Sequence, residues 1–224
     1  MKKISVIIRV KNEERWIGHT IQSILDNLTK PQIIIIDNYS TDKSIEIVNR
    51  FKQDPLLKNK NNNNYTEIDV CKIQSYTPGK ALNLGVSLAK HNTIMIISSH
   101  CILSKISLEN HLKQLKKYVS VFGNQIPIWD GKKIVKRYLW SHFVNKKVIN
   151  MYSDYEERYF LHNSIALYNT KYLKDNLFDE NLIGKEDRYW AIDAIKNGEK
   201  ILYDPALEVL HHYTENGNTW KGLA

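Results

Sequence analysis

Apolar runs that stop at polar tips set the rhythm of this chain. Residues 4–10 are rich in β-branched side chains and end at Lys11-Asn12-Glu13-Glu14, which predicts a strand running into a polar loop. Trp16, Ile17, Thr20, Ile21, Ile24 and Leu25 then recur at helical spacing, and Pro31 closes that segment. Residues 33–36 predict a second buried strand, ending at Asp37-Asn38-Tyr39-Ser40-Thr41-Asp42, and Ser44, Ile45, Ile47, Val48 and Phe51 share one helical face behind it. Two strand-helix units in succession predict a parallel sheet and an α/β fold. The segment from Pro78 to Ala89 predicts a close-packed helix, with proline at its start and small residues at Ala81, Gly85 and Ala89. The central run is I-M-I-I at 94–97, followed directly by Ser98-Ser99-His100-Cys101. Ligands of open α/β sheets gather beyond the carboxyl ends of strands, so Ser98, Ser99 and His100 stand where a bound group would be met. Taken alone, a histidine after a strand is more often a loop residue than a ligand.

The second half is less regular. Leu108, Leu112, Leu115 and Val119 predict a helix, residues 121–128 a strand, and the segment 132–147 a helix around Tyr138, Leu139 and Phe143. A further strand is predicted over 159–168, with His162, Asn163 and Ser164 inside it. Trp190, Ala191, Ala194 and Ile195 mark a helix ended by Asn197-Gly198. The last strand, 201–210, is interrupted at Pro205 and brings His211-His212 to the general edge already reached by His100. The asparagine-rich stretch 59–64 reads as an inserted loop, and no internal repeat is visible.

At 224 residues the chain predicts one domain with a substantial core. Its 42% hydrophobic and 25% charged residues exclude disordered and fibrous classes. The apolar runs are too short to cross a bilayer and charge comes too early for a signal peptide, so a cytoplasmic location is expected. Cys71 and Cys101 are expected as reduced thiols. The net charge of +8 is local: within 111–150, nine Lys and Arg residues face Asp130 alone. That patch reads as a solvated face, or as a surface for an anionic membrane, an anionic acceptor or nucleic acid.

Four blocks now stand in order: I-S-V-I-I-R-V-K-N-E-E (4–14), I-I-I-I-D-N-Y-S-T-D (33–42), G-K-A-L-N-L-G (79–85) and G-K-E-D-R-Y-W-A (184–191). Together they resemble family-2 glycosyltransferases over essentially the whole chain. The resemblance implies a single GT-A domain over 1–224 with a mostly parallel central sheet. Its nucleotide-binding half would be 1–104, and its acceptor half 105–224 would carry a C-terminal lid. It further implies that Val10, Asn12 and Glu13 line the base and ribose pocket, that Asp37 with Asn38 meets the base, and that Lys80 lies near the nucleotide. Strand-end geometry alone leaves Asp37 equally open to a turn-forming role.

Most relatives carry Asp-x-Asp where this chain has Ser98-Ser99-His100. A Ser-x-His-Cys variant is similar to a subgroup of these enzymes, and Asp-x-His occurs in the similar polypeptide N-acetylgalactosaminyltransferases. The resemblance therefore implies a divalent metal held by His100 and His211, with Mn2+ favoured over Mg2+ because of the nitrogen ligands. Alternation along an extended strand lets only one of His211 and His212 reach it. Asp187 is implied as catalytic base, with Glu186 orienting the acceptor or capping a helix, and Trp220 in the glycine-rich tail as a lid over the donor.

The expected activity is an inverting transfer from a nucleotide-diphosphate sugar, a UDP-sugar favoured, to a carbohydrate or lipid-linked acceptor in surface polysaccharide or glycolipid synthesis. A catalytically silent sugar-nucleotide-binding relative is the first alternative. A nucleic-acid-binding module is the weaker one, because it leaves Glu186-Asp187 unexplained and lacks interleaved aromatics. The proximity of the tail to residue 224 suggests that a longer native C-terminus exists.

Overall fold

A computed structural model describes residues 3–58, 66–136 and 138–214. In chain order the elements are β1 (Ser5–Val10), α1 (Ile17–Asn27), β2 (Gln32–Asp37), α2 (Ser44–Gln53), α3 (Pro55–Lys58), β3 (Glu67–Lys72), α4 (Pro78–Leu88), β4 (Thr93–Ile97) and β5 (Cys101–Lys105). They continue with α5 (Leu108–Gln114), β6 (Ser120–Trp129), β7 (Lys132–Lys133), a 3-10 turn (Tyr138–His142), β8 (Val148–Ile149), β9 (Tyr152–Ser153) and β10 (Arg158–Tyr159). The last are β11 (Ile165–Asn169), α6 (Thr170–Asp175), α7 (Glu186–Lys196) and β12 (Ile201–His212).

The main sheet runs β3-β2-β1-β4-β11-β6-β12-β5, with β7 on β6 and β8 on β12. Six of its eight main strands point the same way, because only β11 and β5 pair antiparallel to all their neighbours on that path. The carboxyl ends of β1, β2, β4, β6 and β12 therefore share one rim, and β11 contributes its amino end there. Alternation along each strand divides the core into two layers. Ile7, Ile34, Ile36, Ile94 and Ile96 face α4, α6 and α7, whereas Val6, Ile8, Ile33, Ile35, Met95 and Ile97 face α1 and α2.

Residues 98–100 join β4 to β5, yet β5 lies four places away along the sheet. So short a link requires the sheet to curl, bringing β5 back against α1. Hydrogen bonds from Leu103 N to Ser23 Oγ (3.0 Å) and from Thr20 Oγ1 to the Ser99 carbonyl (2.7 Å) hold that closure.

Three expectations change. Among the described residues of 132–147 there is no long helix: their helical part is a 3-10 turn, because Leu139, Trp140 and Phe143 drop into the core around short extended pieces. The strand expected over 159–168 is two strands, separated by a turn at His162-Asn163-Ser164. The interruption expected at Pro205 is present as a register shift between Asp204 and Glu208, which β12 passes before ending at His212. The helix expected to reach Val119 ends at Gln114.

Candidate functional site

The loops after β1 and β2 are zipped into one floor. Lys11 Nζ donates to the Tyr39 carbonyl (2.7 Å), Asn12 N to Ser40 Oγ (3.0 Å), Thr41 N to Asn12 Oδ1 (2.8 Å) and Glu13 N to Ser44 Oγ (2.7 Å). Asn12 and Tyr39 sit at φ 52 and 51, left-handed turns that bring the two loops together. Val10 packs its side chain in the core and accepts at its carbonyl from Asn38 N (2.9 Å). Buried Asp37 serves as the turn-former: its Oδ1 accepts from Ser40 N at 2.9 Å. Its Oδ2 is equally buried and has no hydrogen-bond partner among the described residues. One oxygen builds the turn, and the other is a buried acceptor still to be satisfied.

Where the sheet curls shut, Ser98 N donates to the Ser164 carbonyl (3.3 Å) and His212 N to the His100 carbonyl (3.1 Å), fixing the tip between β11 and β12. Buried Ser99 lies beneath α1. The His100 and His211 rings meet with centroids 5.1 Å apart. One ligand-type atom from each of His100, Cys101 and His211 lies within 4.8 Å of the others. His100 Nδ1 is 3.0 Å from Glu13 Oε1, and His211 Nδ1 is 2.7 Å from Gln125 Oε1. Burial, reinforced by His100 and His162, holds the His211 pKa well below the usual histidine range, so this ring is neutral. Its Nε2 is buried without a hydrogen bond among the described residues. Alternation acts as expected on the neighbouring residue: His212 turns away and stacks on Trp16 at 3.9 Å. Burial also raises the Cys101 thiol, and both cysteines are free.

The acids lie further along the rim. His162 bridges to them, with its ring 6.4 Å from that of His211. Glu186 and Asp187 open α7 and are both buried. Asp187 accepts from Asn163 N and from Arg188 Nη1, each at 2.9 Å. Burial pushes its pKa up, but Arg188, His162 and the Asn163 N–H together outweigh that and hold it below the ordinary value. Glu186 binds Arg9 Nη1 at 2.8 Å, yet burial keeps its pKa raised despite that guanidinium. Lys185, at the N-cap of α7, makes no side-chain cap, and Asp187 Oδ1 accepts from the first-turn N–H of Arg188 at 2.9 Å.

Lys80 sits half-buried in the first turn of α4, whose amino end is capped by Thr77 Oγ1 accepting from Lys80 N (3.2 Å). The same Thr77 hydroxyl donates to the Glu180 carbonyl (2.7 Å), and Asn83 bonds to Phe178 on both its polar atoms. A Cβ on Gly79 would stand 2.2 Å from the Asp179 carbonyl oxygen. Glycine there lets α4 press on the segment leading to α7, which ties Lys80 to the acids. Trp220 and the tail lie outside the described residues.

The basic window is not one face. Lys113 pairs with Glu109, Lys136 donates to Asn124 and to the Phe143 carbonyl, and Lys147 pairs with Asp204. Lys116, Lys117, Lys132, Lys133 and Lys146 remain exposed on separate elements. Several site residues escaped the sequence reading. Arg9 carried a signal, a lone charge inside an apolar strand; Gln125 carried none, because its partner His211 is 86 positions away, and Arg188 stood beside its partner Asp187 in the block 184–191 without being singled out.

Comparison with solved structures agrees with this architecture. Staphylococcus aureus TarS 1–349 in complex with UDP-GlcNAc superposes with a TM-score of 0.70 at 20% identity, over 97% of this chain and 60% of that one. A mannosyltransferase from Pyrobaculum calidifontis in complex with GDP-Man and Mn2+ gives 0.70 at 16% identity, over 97% and 59%. GalNAc-T7 with UDP, GalNAc and Mn2+ gives 0.70 at 14%, over 97% and 45%. The fold is thus the GT-A fold, with its curled central sheet. In sequence, the poly(ribitol-phosphate) beta-N-acetylglucosaminyltransferase TarS of Staphylococcus aureus is 25% identical over 215 residues, 90% of this chain. The chain spans about a third of the length of that relative, 34%. The family model for glycosyl transferase family 2 matches residues 5–177, well over half of the sequence, and so the chain belongs to that family.

Proposed function

We propose that this protein is an inverting glycosyltransferase that moves a sugar from a nucleotide-diphosphate donor, a UDP-sugar first among them, to an acceptor hydroxyl of a surface polysaccharide or glycolipid. The observation that carries the proposal is the shared rim. A buried acceptor without a partner among the described residues (Asp37 Oδ2), a histidine pair (His100, His211) and a buried ionised acid (Asp187) come to it from four separate segments.

Asp37, with Asn12 and Asn38 beside it, would bind the base and ribose, and Lys80 would face the diphosphate. Two imidazoles, one with an orphaned buried nitrogen, fit a divalent ion, and nitrogen ligands suit Mn2+ better than Mg2+. Ser98 supplies at most a neutral oxygen to that set. When bound, the ion would neutralise charge developing on the leaving diphosphate. Asp187 takes the proton of the acceptor hydroxyl as that oxygen bonds to the anomeric carbon and the bond to the diphosphate oxygen breaks. A single displacement from the opposite face inverts the configuration. Glu186, tethered to Arg9, holds the adjoining wall in place. The exposed lysines of the 111–150 window fall at Lys116-Lys117, Lys132-Lys133 and Lys146, and those that reach an anionic membrane together contribute about 1 kcal/mol each. Equal sedimentation with neutral and anionic vesicles would remove that part.

The deciding experiment is a panel of nucleotide-sugars tested for binding and transfer with and without Mn2+. Binding of one donor together with its inverted product supports the reading, and donor binding unaffected by chelator rules out the metal. A second reading, a sugar-nucleotide-binding relative without turnover, is favoured by the double contact of Arg188 on Asp187. Donor bound but neither hydrolysed nor transferred would establish it.

A further inference from the structure

We infer that Glu13 and Gln125 are positioning residues that fix His100 and His211 as Nδ1–H tautomers, so that both rings present a bare Nε2 to a divalent cation. The inference rests on the metal reading above, and it moves Glu13 from the nucleotide pocket to the support of His100.

A neutral imidazole has one donor and one acceptor nitrogen, and the hydrogen bond made by one nitrogen decides the role of the other. Glu13 Oε1 stands 3.0 Å from His100 Nδ1 and Gln125 Oε1 stands 2.7 Å from His211 Nδ1. Both are oxygens, and an oxygen of carboxylate or amide type can only accept, so each Nδ1 must carry the proton. The lone pair of each ring is thereby placed on Nε2. For His211 that atom is buried with no partner among the described residues, which costs free energy unless a ligand fills the position.

The two supports are themselves buried. The backbone of Glu13 is anchored by its N–H on Ser44 Oγ (2.7 Å), and Gln125 lies within β6 at 0% exposure, its Nε2 without a partner among the described residues. Strand β6 carries Gln125 beside β12, where Val209 is its register partner, two residues before His211. An aspartate in the place of His100 would need no such device, since a carboxylate has no tautomer to set. The carboxylate–imidazole pair at Glu13 is what a histidine at this position requires, because orientation of a ligating ring by a second oxygen raises its basicity and fixes its plane.

The test is a tautomer measurement. The protein labelled with 15N in its histidine rings is read by long-range 1H–15N correlation in the absence of metal, with His100→Asn and His211→Asn assigning the two rings. The expected result is a protonated Nδ1 and an unprotonated Nε2 for both. A protonated Nε2 on either ring in the wild type overturns the inference, and this outcome needs no variant to fold. In Glu13→Leu and Gln125→Leu the affected ring should shift toward the Nε2–H form, and Mn2+ affinity measured by EPR titration should fall about 10–100-fold. Glu13→Gln and Gln125→Glu, which keep an oxygen in reach, should restore the tautomer. Wild-type tautomers in the two leucine variants overturn the positioning role. Wild-type protein with both Nδ1–H tautomers but no Mn2+ binding would instead overturn the metal reading and leave the tautomer assignment standing.

Discussion

The histidine pair and the acid pair occupy the same rim, and they are built on opposite principles. Around His100 and His211 the outer nitrogens are held while an inner one is left without a partner. Around Glu186 and Asp187 each charge is already met by an arginine from another position, Arg9 on β1 and Arg188 on α7. Neutral groups can wait buried and unpaired at modest cost, whereas a buried carboxylate stays ionised only with a counter-charge or hydrogen-bond donors beside it. The histidine end is thus prepared for something that arrives from outside, and the acid end is electrostatically complete beforehand. The proposed base role of Asp187 requires this second design, since a base must be ionised before the acceptor binds.

The largest expected effect tests the acid end. Asp187→Asn keeps the shape and removes the base, so turnover should fall by roughly 10²-fold or more while donor affinity stays nearly unchanged. A variant with wild-type turnover would leave Asp187 a structural partner of Arg188 only. Next in size is Arg9→Met, which strands Glu186 in a buried site with a 6% exposed side chain. Loss of one partner of a buried pair costs on the order of 3 kcal/mol. Urea unfolding should report a lower midpoint with unchanged slope, and the double variant with Glu186→Met should recover much of the loss. Failure to recover would show that the pair is not coupled.

Much of this was legible in the sequence, for physical reasons. The two strand-helix units and the central strand were readable because buried parallel strands are uninterrupted apolar runs, and their polar tips marked Asp37 and His100. The opposed fates of His211 and His212 followed from two-residue alternation. The second half was less legible: around 132–160 short strands and a 3-10 turn are chosen by long-range packing, with no period of their own. The supports of the site were hidden for the same reason, since Gln125 precedes His211 by 86 positions and Arg9 precedes Glu186 by 177.

A smaller effect addresses the joint between the two ends. Gly79→Ala drives a Cβ to 2.2 Å from a backbone oxygen, so α4 or the segment 178–180 must move. Overpacking of this kind costs about 1–3 kcal/mol. Lys80 follows in the same turn, so donor KM should rise more than kcat falls. An equal loss in both would place the effect at the acids instead.

The smallest effect asks whether burial alone makes a histidine neutral, without any site. His111 provides the control, 1% exposed and far along the chain from the rim residues. Its ring nitrogens make no hydrogen bond among the described residues, and Asp204 Oδ2 stands 3.8 Å from Nε2 while Lys147 binds the same carboxylate at 3.0 Å. Burial lowers its pKa, with Lys147 acting in the same direction and Asp204 opposing. In the unfolded chain His111 takes up a proton near the ordinary histidine value of 6.5, while in the folded protein it does not until lower pH. The unfolded state therefore binds more protons between those limits, so stability falls as pH drops below 6.5, by at most about 1.4 kcal/mol per pH unit. His111→Leu breaks no hydrogen bond and removes this proton. Thermal unfolding between pH 7.5 and 5.5 should show a shallower decline in that variant than in the wild type, by roughly 2–4 °C per kcal/mol. Identical slopes would mean that His111 is charged in the folded protein, held so by Asp204, and that neutrality at His211 depends on its own site rather than on burial in general.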